Sequence, residues 1–174
     1  GVIPDTHPLC FGSSIPTIPG CAGVAITDAD LVILLGNRLC LFTVTGSFFN
    51  AGAKIIQVDI EPEEIGRNRA IDLAVFGDIR ALLKECNGIV AQRANAGSLR
   101  ARFQGWVEKL KKAHDEGRKS ALNELTGQEF PIHPGVLVRG VDAFMDRDDD
   151  IIIADGGDAQ VWMTVTRTCR SAMN

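Results

Sequence analysis

Three short runs of apolar, largely β-branched residues constrain the fold of this 174-residue chain more than any other feature. They occupy residues 31–35 (LVILL), 54–60 (KIIQVDI) and 151–154 (IIIA), and a weaker fourth run occupies residues 73–76 (LAVF). None alternates strictly between apolar and polar residues, so we expect strands that are buried on both faces. Parallel strands covered by helices have this character.

Helical patterns lie between and after these runs. Beyond Asp78, which is placed to cap a helix, apolar residues recur on one face from residue 79 to residue 90. A longer helical pattern follows Ser98, and a final one covers residues 159–170. Strands alternating with helices predict an α/β fold with a mainly parallel sheet flanked by helices.

A further helix is expected to start at Pro134, because proline is favoured in the first helical turn. His133 precedes it as a cap or turn residue. The apolar residues of this helix recur at helical spacing, which predicts an inward face made of Val136, Leu137, Val141 and Phe144.

Composition argues against several classes of protein. The net charge is −4 and only a local basic cluster occurs, at residues 109–112, so we expect no nucleic-acid partner. No apolar run approaches 18 residues, and we expect no membrane partner. The five cysteines are odd in number and lack C-x-x-C spacing, which predicts free, buried thiols in a reducing cytoplasm rather than disulfides or zinc.

Candidate ligand-binding residues follow the predicted strands, because open parallel sheets bind ligands beyond the carboxyl ends of their strands. Gly36 would let the backbone approach a ligand and Arg38 could hold a phosphate, unless they are only a turn and a surface residue. Asp59 could hold ribose hydroxyls. Asp78 could lie near an adenosine or could simply cap its helix. The acidic residues around Pro62 suit the first turn of a short helix.

A second candidate site is the stretch Gly156, Gly157 and Asp158, between the run at 151–154 and the last helical pattern. A strand followed by two glycines and a helix start can bind an anion through free backbone N–H groups. A plain turn with Asp158 as the helix cap is the alternative. The sequence contains no nucleophile motif, G-x-G-x-x-G or Walker loop, and His114 is expected on the surface.

Five segments, taken in order, resemble thiamine-diphosphate-dependent enzymes of the acetolactate synthase, pyruvate oxidase and benzoylformate decarboxylase group. They are residues 1–9 (GVIPDTHPL), 29–38 (ADLVILLGNR), 54–68 (KIIQVDIEPEEIGRN), 77–79 (GDI) and 151–162 (IIIADGGDAQVW).

The resemblance implies that residues 1–93 form the later part of a central, Rossmann-like nucleotide-binding domain, truncated on its N-terminal side. Residues 133–174 would begin the diphosphate-binding domain, and residues 94–132 would be a connecting helical segment. Both ends of the chain read as cuts within a longer protein.

The resemblance also implies a parent enzyme, a transferase or lyase, that acts on 2-oxo acids with thiamine diphosphate and Mg²⁺ and assembles as a homo-oligomer. The diphosphate loop would fall on Gly156, Gly157 and Asp158. FAD or an adenine nucleotide would contact Gly36, Arg38, Asp59, Ile60 and Asp78.

The family's activating glutamate and magnesium motif have no counterpart in the chain. We therefore expect it to be inactive alone, and we assign no catalytic and no metal-binding residue. A stand-alone nucleotide-binding module and a structural spacer domain are the alternative interpretations.

Overall fold

The computed structural model describes residues 3–13, 20–93, 95–123, 125, 130–145, 147 and 149–170. Residues 1–2 of the opening motif, and residues 94 and 126–129 at the predicted domain boundaries, lie outside this part of the chain. The chain divides into two compact units, one formed by residues 24–108 and the other by residues 1–23 with 109–174. The predicted domain division at residues 93 and 132 stays a prediction.

The first unit contains a three-stranded parallel sheet in the order β1-β2-β3. Its strands are β1 (Leu31–Leu35), β2 (Lys54–Asp59) and β3 (Leu73–Phe76). Leu35 pairs with Val58, and Asp59 pairs with Phe76, so the three strands end at the same edge of the sheet. This open parallel sheet with flanking helices confirms the predicted Rossmann-like α/β class.

Three α-helices begin in this unit or at its border. They are α1 (Ala22–Asp28), α2 (Ile79–Arg93) and α3 (Ala96–Asn123). The predicted cap of α2 is confirmed, because Asp78 Oδ1 accepts a hydrogen bond from the backbone N–H of Ala81 at 2.8 Å. Two 3-10 helices, Leu41–Gly46 and Pro62–Glu64, follow β1 and β2, and the second is the short helix expected around Pro62.

The core of this unit lies on one face of the sheet. Buried residues from α1, β1, β2 and the loops between them pack together there: Ile26, Leu34, Leu39, Phe49 and Ile55. The expectation that every strand is buried on both faces is wrong for β1, where Leu31 and Ile33 are 46% and 53% exposed on the other face. It is also wrong for β3, which contains no fully buried residue. The reason is weak cover, since α2 contains no fully buried residue.

The second unit contains α4 (Pro134–Phe144) and α5 (Asp158–Thr166). His133 caps α4 as predicted, with its ring Nδ1 accepting from the backbone N–H of Gly135 at 3.1 Å. The predicted inward face of α4 is wrong. Gly135 and Val138 are buried instead, because the glycine lets α4 approach the ring of Trp162 on α5. Three of the residues expected inside are exposed, namely Leu137, Val141 and Phe144.

The strand predicted at residues 151–154 is also wrong. Residues 151–155 form no strand, and Ile151 and Ile153 are 73% and 93% exposed. A strand needs a neighbour for its backbone groups, and the described residues of this unit provide none. Likewise α5 ends at Thr166 rather than at residue 170.

Residues 167–170 do not form the last predicted turn of this helix, because contacts with residues outside α5 hold them. The side chain of Arg167 pairs with Asp142 at 3.1 Å. The backbone N–H and the carbonyl of Cys169 each form a 2.8 Å hydrogen bond with Asp5, through its carboxylate and its backbone N–H respectively. All five cysteines are free thiols, but the predicted burial holds only for Cys21 and is wrong for Cys40 and Cys86, which are exposed. Cys86 lies on α2, which has no buried residue. No helix in the described part of the chain is long and apolar enough to cross a membrane.

Candidate functional site

The carboxyl edge of the sheet brings together the candidate residues that follow its three strands. The backbone N–H of Gly36 donates to Val58 O at 2.8 Å, and that of Gly77 donates to Asp59 O at 3.0 Å. Parallel strands that end in register place the loops after them side by side. Gly36, Asp59 and the Gly77-Asp78 turn therefore line one edge of the first unit.

Gly36 has a positive φ of +59°, a conformation that favours glycine. A Cβ at this position would lie 2.9 Å from Cδ1 of Ile79, the first residue of α2. The turn and the close approach of α2 both account for the glycine. Its proposed contact with a ligand stays a prediction.

Arg38 extends from the same turn and its side chain is 63% exposed. Its Nε lies 3.7 Å from Oε2 of Glu64, on the loop after β2. The described contacts do not involve its terminal nitrogens, which can therefore hold a phosphate in a forked geometry.

Two acidic candidates use one carboxylate oxygen each for local structure. Asp59 is only 7% exposed, and its Oδ1 accepts from the backbone N–H of Glu61 at 3.0 Å. Asp78 is exposed and caps α2 through Oδ1. Ribose hydroxyls would have to bind the second oxygens. Ile60, the residue after Asp59, is 62% exposed and offers an apolar surface.

Gln57 is a residue that sequence reasoning missed. It is fully buried, and its Oε1 accepts from the backbone N–H of Gly66 at 2.8 Å. Its Nε2 donates to Glu64 O at 3.0 Å and to Asn37 O at 3.4 Å. One amide therefore joins the loops after β1 and β2. The available signal was a polar residue in the middle of the apolar run KIIQVDI.

A lysine and an aspartate of this unit with shifted pKa values lie at the opposite edge of the sheet. Lys54 Nζ donates to Asp72 Oδ1 at 2.7 Å, and Asp72 Oδ2 accepts from the backbone N–H of Ile55 at 2.8 Å. The hydrogen bond from Lys54 lowers the pKa of Asp72, and the same bond raises the pKa of Lys54. This pair supports the strands rather than the candidate site.

The second candidate site, in the other unit, is the start of α5. Gly157 has a φ of +87°, and a Cβ at Gly156 or Gly157 would meet no atom within 4 Å. No side-chain hydrogen bond caps the helix, so the alternative of Asp158 as a cap is not supported. The first-turn N–H groups lack partners within the helix and can bind an anion. The carboxylates of Asp155 and Asp158 oppose a negative ligand there.

Histidines and clusters of metal-binding side chains are the remaining candidates for chemistry. His114 was expected on the surface, but it packs edge-on against Phe11 with ring centroids 6.1 Å apart, and its Nδ1 is buried without a partner. Within the described ranges, no group of three histidine, cysteine, aspartate or glutamate side chains could hold a metal ion.

Comparison with known proteins gives consistent matches. Residues 1–86 match the family model of the central domain of thiamine pyrophosphate enzymes. A probable acetolactate synthase large subunit of Methanococcus aeolicus is 29% identical over 100% of this chain and 30% of its own length. An acetolactate synthase of Mycobacterium avium is 29% identical over 93% of the chain and 25% of its own length.

A third relative, the acetolactate synthase large subunit of Cyanidium caldarium, is 37% identical over 64% of the chain and 19% of its own length. The chain thus spans 30% or less of the length of these relatives. The family match covers all three strands of the sheet and the loops at its carboxyl edge. Residues 1–86 therefore belong to the central-domain family of thiamine pyrophosphate enzymes.

Proposed function

We propose that this chain is part of an enzyme that acts on 2-oxo acids in the manner of acetolactate synthase. The observation that carries the proposal is the central-domain match over residues 1–86 together with relatives named acetolactate synthase. Bound thiamine diphosphate would supply the chemistry of decarboxylation and carbon–carbon bond formation. The residues of this chain would bind and orient cofactors rather than react.

The start of α5 would hold the diphosphate of the cofactor. Gly156 and Gly157 leave open space beside the helix, and the free N–H groups of the first turn suit phosphate oxygens. The negative charge of Asp158 acts against a diphosphate, so a counter-cation would strengthen binding. Mg²⁺ is the ion we propose for the parent enzyme. The described carboxylates form no cluster that would hold it.

The carboxyl edge of the sheet would hold FAD or an adenine nucleotide. Arg38 presents exposed terminal nitrogens to a phosphate, and the exposed Ile60 offers apolar contact to a ring. The second carboxylate oxygens of Asp59 and Asp78 would accept from ribose hydroxyls. Gly36 allows the tight turn that sets Arg38 at this edge.

Product analysis tests the enzymatic proposal. The complete polypeptide encoded around this segment is incubated with pyruvate, Mg²⁺ and thiamine diphosphate, and parallel reactions omit the cofactor. Cofactor-dependent acetolactate would establish a transferase, and cofactor-dependent acetaldehyde a lyase. We expect no product from the 174-residue chain alone. No cofactor-dependent loss of any 2-oxo acid with the complete polypeptide would refute the proposal.

A stand-alone nucleotide-binding module is the second candidate, favoured because the first unit carries the whole three-stranded edge by itself. Calorimetric titration of the chain with FAD and with ADP tests it. Arg38→Gln is expected to weaken binding, while Arg93→Gln, an equal change of charge at the far end of α2, is the control. Equal binding by both variants would remove Arg38 from the site.

Cellular location and oligomeric state complete the proposal. The five free thiols support a cytoplasmic location, to be checked by fractionation of cells. A homo-oligomer is expected from the resemblance, and light scattering of the complete polypeptide would measure its mass.

A further inference from the structure

Arg67 lies outside the predicted sites, yet it shares a partner with Arg38. Its Nη1 lies 3.0 Å from Glu64 Oε1, while the Nε of Arg38 approaches the other oxygen of that carboxylate at 3.7 Å. Both arginine side chains are 63% exposed, whereas the Glu64 side chain is 14% exposed. Two guanidinium groups from neighbouring loops therefore converge on one carboxylate at the carboxyl edge of the sheet.

This convergence is fixed by the core of the unit. The carbonyl of Glu64 accepts from Nε2 of the fully buried Gln57 at 3.0 Å, and Oε1 of the same amide accepts from the backbone N–H of Gly66 at 2.8 Å. A buried amide with partners on both sides holds its loops firmly. Glu64 is thus a fixed point around which the two arginines are gathered.

The charges of this cluster favour an anion. Arg38, Glu64 and Arg67 together carry a net charge of +1, and an exposed ion pair by itself contributes little to stability. Each guanidinium has five N–H donors, and the described contacts with Glu64 use one nitrogen of each. Glu61 and Glu63 are exposed on the same loop, where water and salt screen their charge.

We propose that Arg67 is a second phosphate-binding residue beside Arg38, and that this edge selects a ligand with two linked phosphoryl groups. Forked donors bind phosphate oxygens in pairs, so two forks held at one carboxylate match a diphosphate better than a single phosphate. The ligand class is the adenosine diphosphate moiety, which ADP and FAD share. This inference rests on the proposed nucleotide site.

Calorimetric titration of the full chain at about 0.15 M salt with ADP, AMP and FAD provides the test. Arg67→Gln is expected to weaken ADP and FAD binding about tenfold and AMP binding less than about twofold, as expected for the loss of one charge-assisted contact. Arg93→Gln, which removes the same charge from an exposed residue of the same unit, is expected to change each affinity less than about twofold. Arg67→Lys keeps the charge without the fork and should give an intermediate loss.

The outcomes separate the two proposals. Wild-type ADP binding that Arg67→Gln leaves equal to the Arg93→Gln control would overturn the role of Arg67 and leave the nucleotide site standing. Equal weakening of AMP and ADP would overturn the selection for a diphosphate. Absence of wild-type binding to both ADP and FAD would overturn the site itself. Far-UV circular dichroism of each variant verifies that it is folded, and the ratio of FAD to ADP affinity distinguishes the two sources of the moiety.

Discussion

Replacing Gly135 by alanine is expected to destabilise the second unit, although the same change usually stabilises a helix. An added Cβ would lie 2.5 Å from Leu125 Cδ2 and 2.8 Å from Trp162 Cε3. The leucine methyl can move, but the indole ring cannot move without losing its packing. Overpacking costs about 1–3 kcal/mol, and alanine recovers about 1 kcal/mol of helix propensity. The net loss in free energy of unfolding should therefore lie between about 0 and 2 kcal/mol, toward the upper end because the clash is with a rigid ring.

Gly140→Ala is the matched control, because it lies on the same helix and a Cβ there would meet no atom within 4 Å. It should stabilise by about 0.5–1 kcal/mol, so the two variants should shift in opposite directions. Urea unfolding followed by tryptophan fluorescence measures both, in a Trp106→Phe background so that Trp162 reports on the second unit alone. If Gly135→Ala stabilised the protein as much as Gly140→Ala does, the packing of α4 on α5 would not be as described.

Two further predictions concern stability against pH and thiol reactivity. The pKa of Asp72 is lowered chiefly by the hydrogen bond from Lys54, so Asp72 stabilises the fold above the ordinary carboxyl pKa and loses this effect as the pH falls through its lowered pKa. The pKa of Lys54 is raised by the same hydrogen bond, so the lysine stabilises the fold up to the ordinary lysine pKa and loses this effect as the pH rises through its raised pKa. The stability difference between wild type and Asp72→Asn should thus be constant between about pH 5 and 9 and shrink toward pH 2, and a difference that persists in acid would contradict the ion pair. Burial raises the pKa of the Cys21 thiol, whereas Cys40 and Cys86 are exposed. Mass spectrometry after brief alkylation should therefore find Cys21 labelled last. Early labelling of Cys21 would show that it is not buried.

The parts of the fold that depend on local chemistry could be predicted from the sequence. The β-branched runs identified β1, β2 and β3, and the caps Asp78 and His133 were found from residue type and position alone. The convergence of Gly36, Asp59 and Asp78 on one edge followed from the geometry of parallel strands.

Features that depend on a distant partner could not be predicted. Residues 151–154 have the composition of a strand, but pairing requires a neighbouring strand that the described part of this unit lacks. Helix α4 has apolar residues on two faces, and only the position of Trp162 decides that Gly135 and Val138 are buried. The sharing of Glu64 by Arg38 and Arg67 depends on how two loops fold back, which no local pattern encodes.

The buried amide of Gln57 limits how the loops at this edge can change in length. Its hydrogen bonds reach Asn37, two residues beyond the end of β1, and Glu64 and Gly66 in the loop after β2. Insertions between Gln57 and Gly66 would separate groups that one side chain must reach at once. Insertions after Asn37, in the longer stretch before β2, leave those distances intact. Natural variation in length is therefore expected between residues 40 and 52, away from the core residue Phe49, and not in residues 58–66.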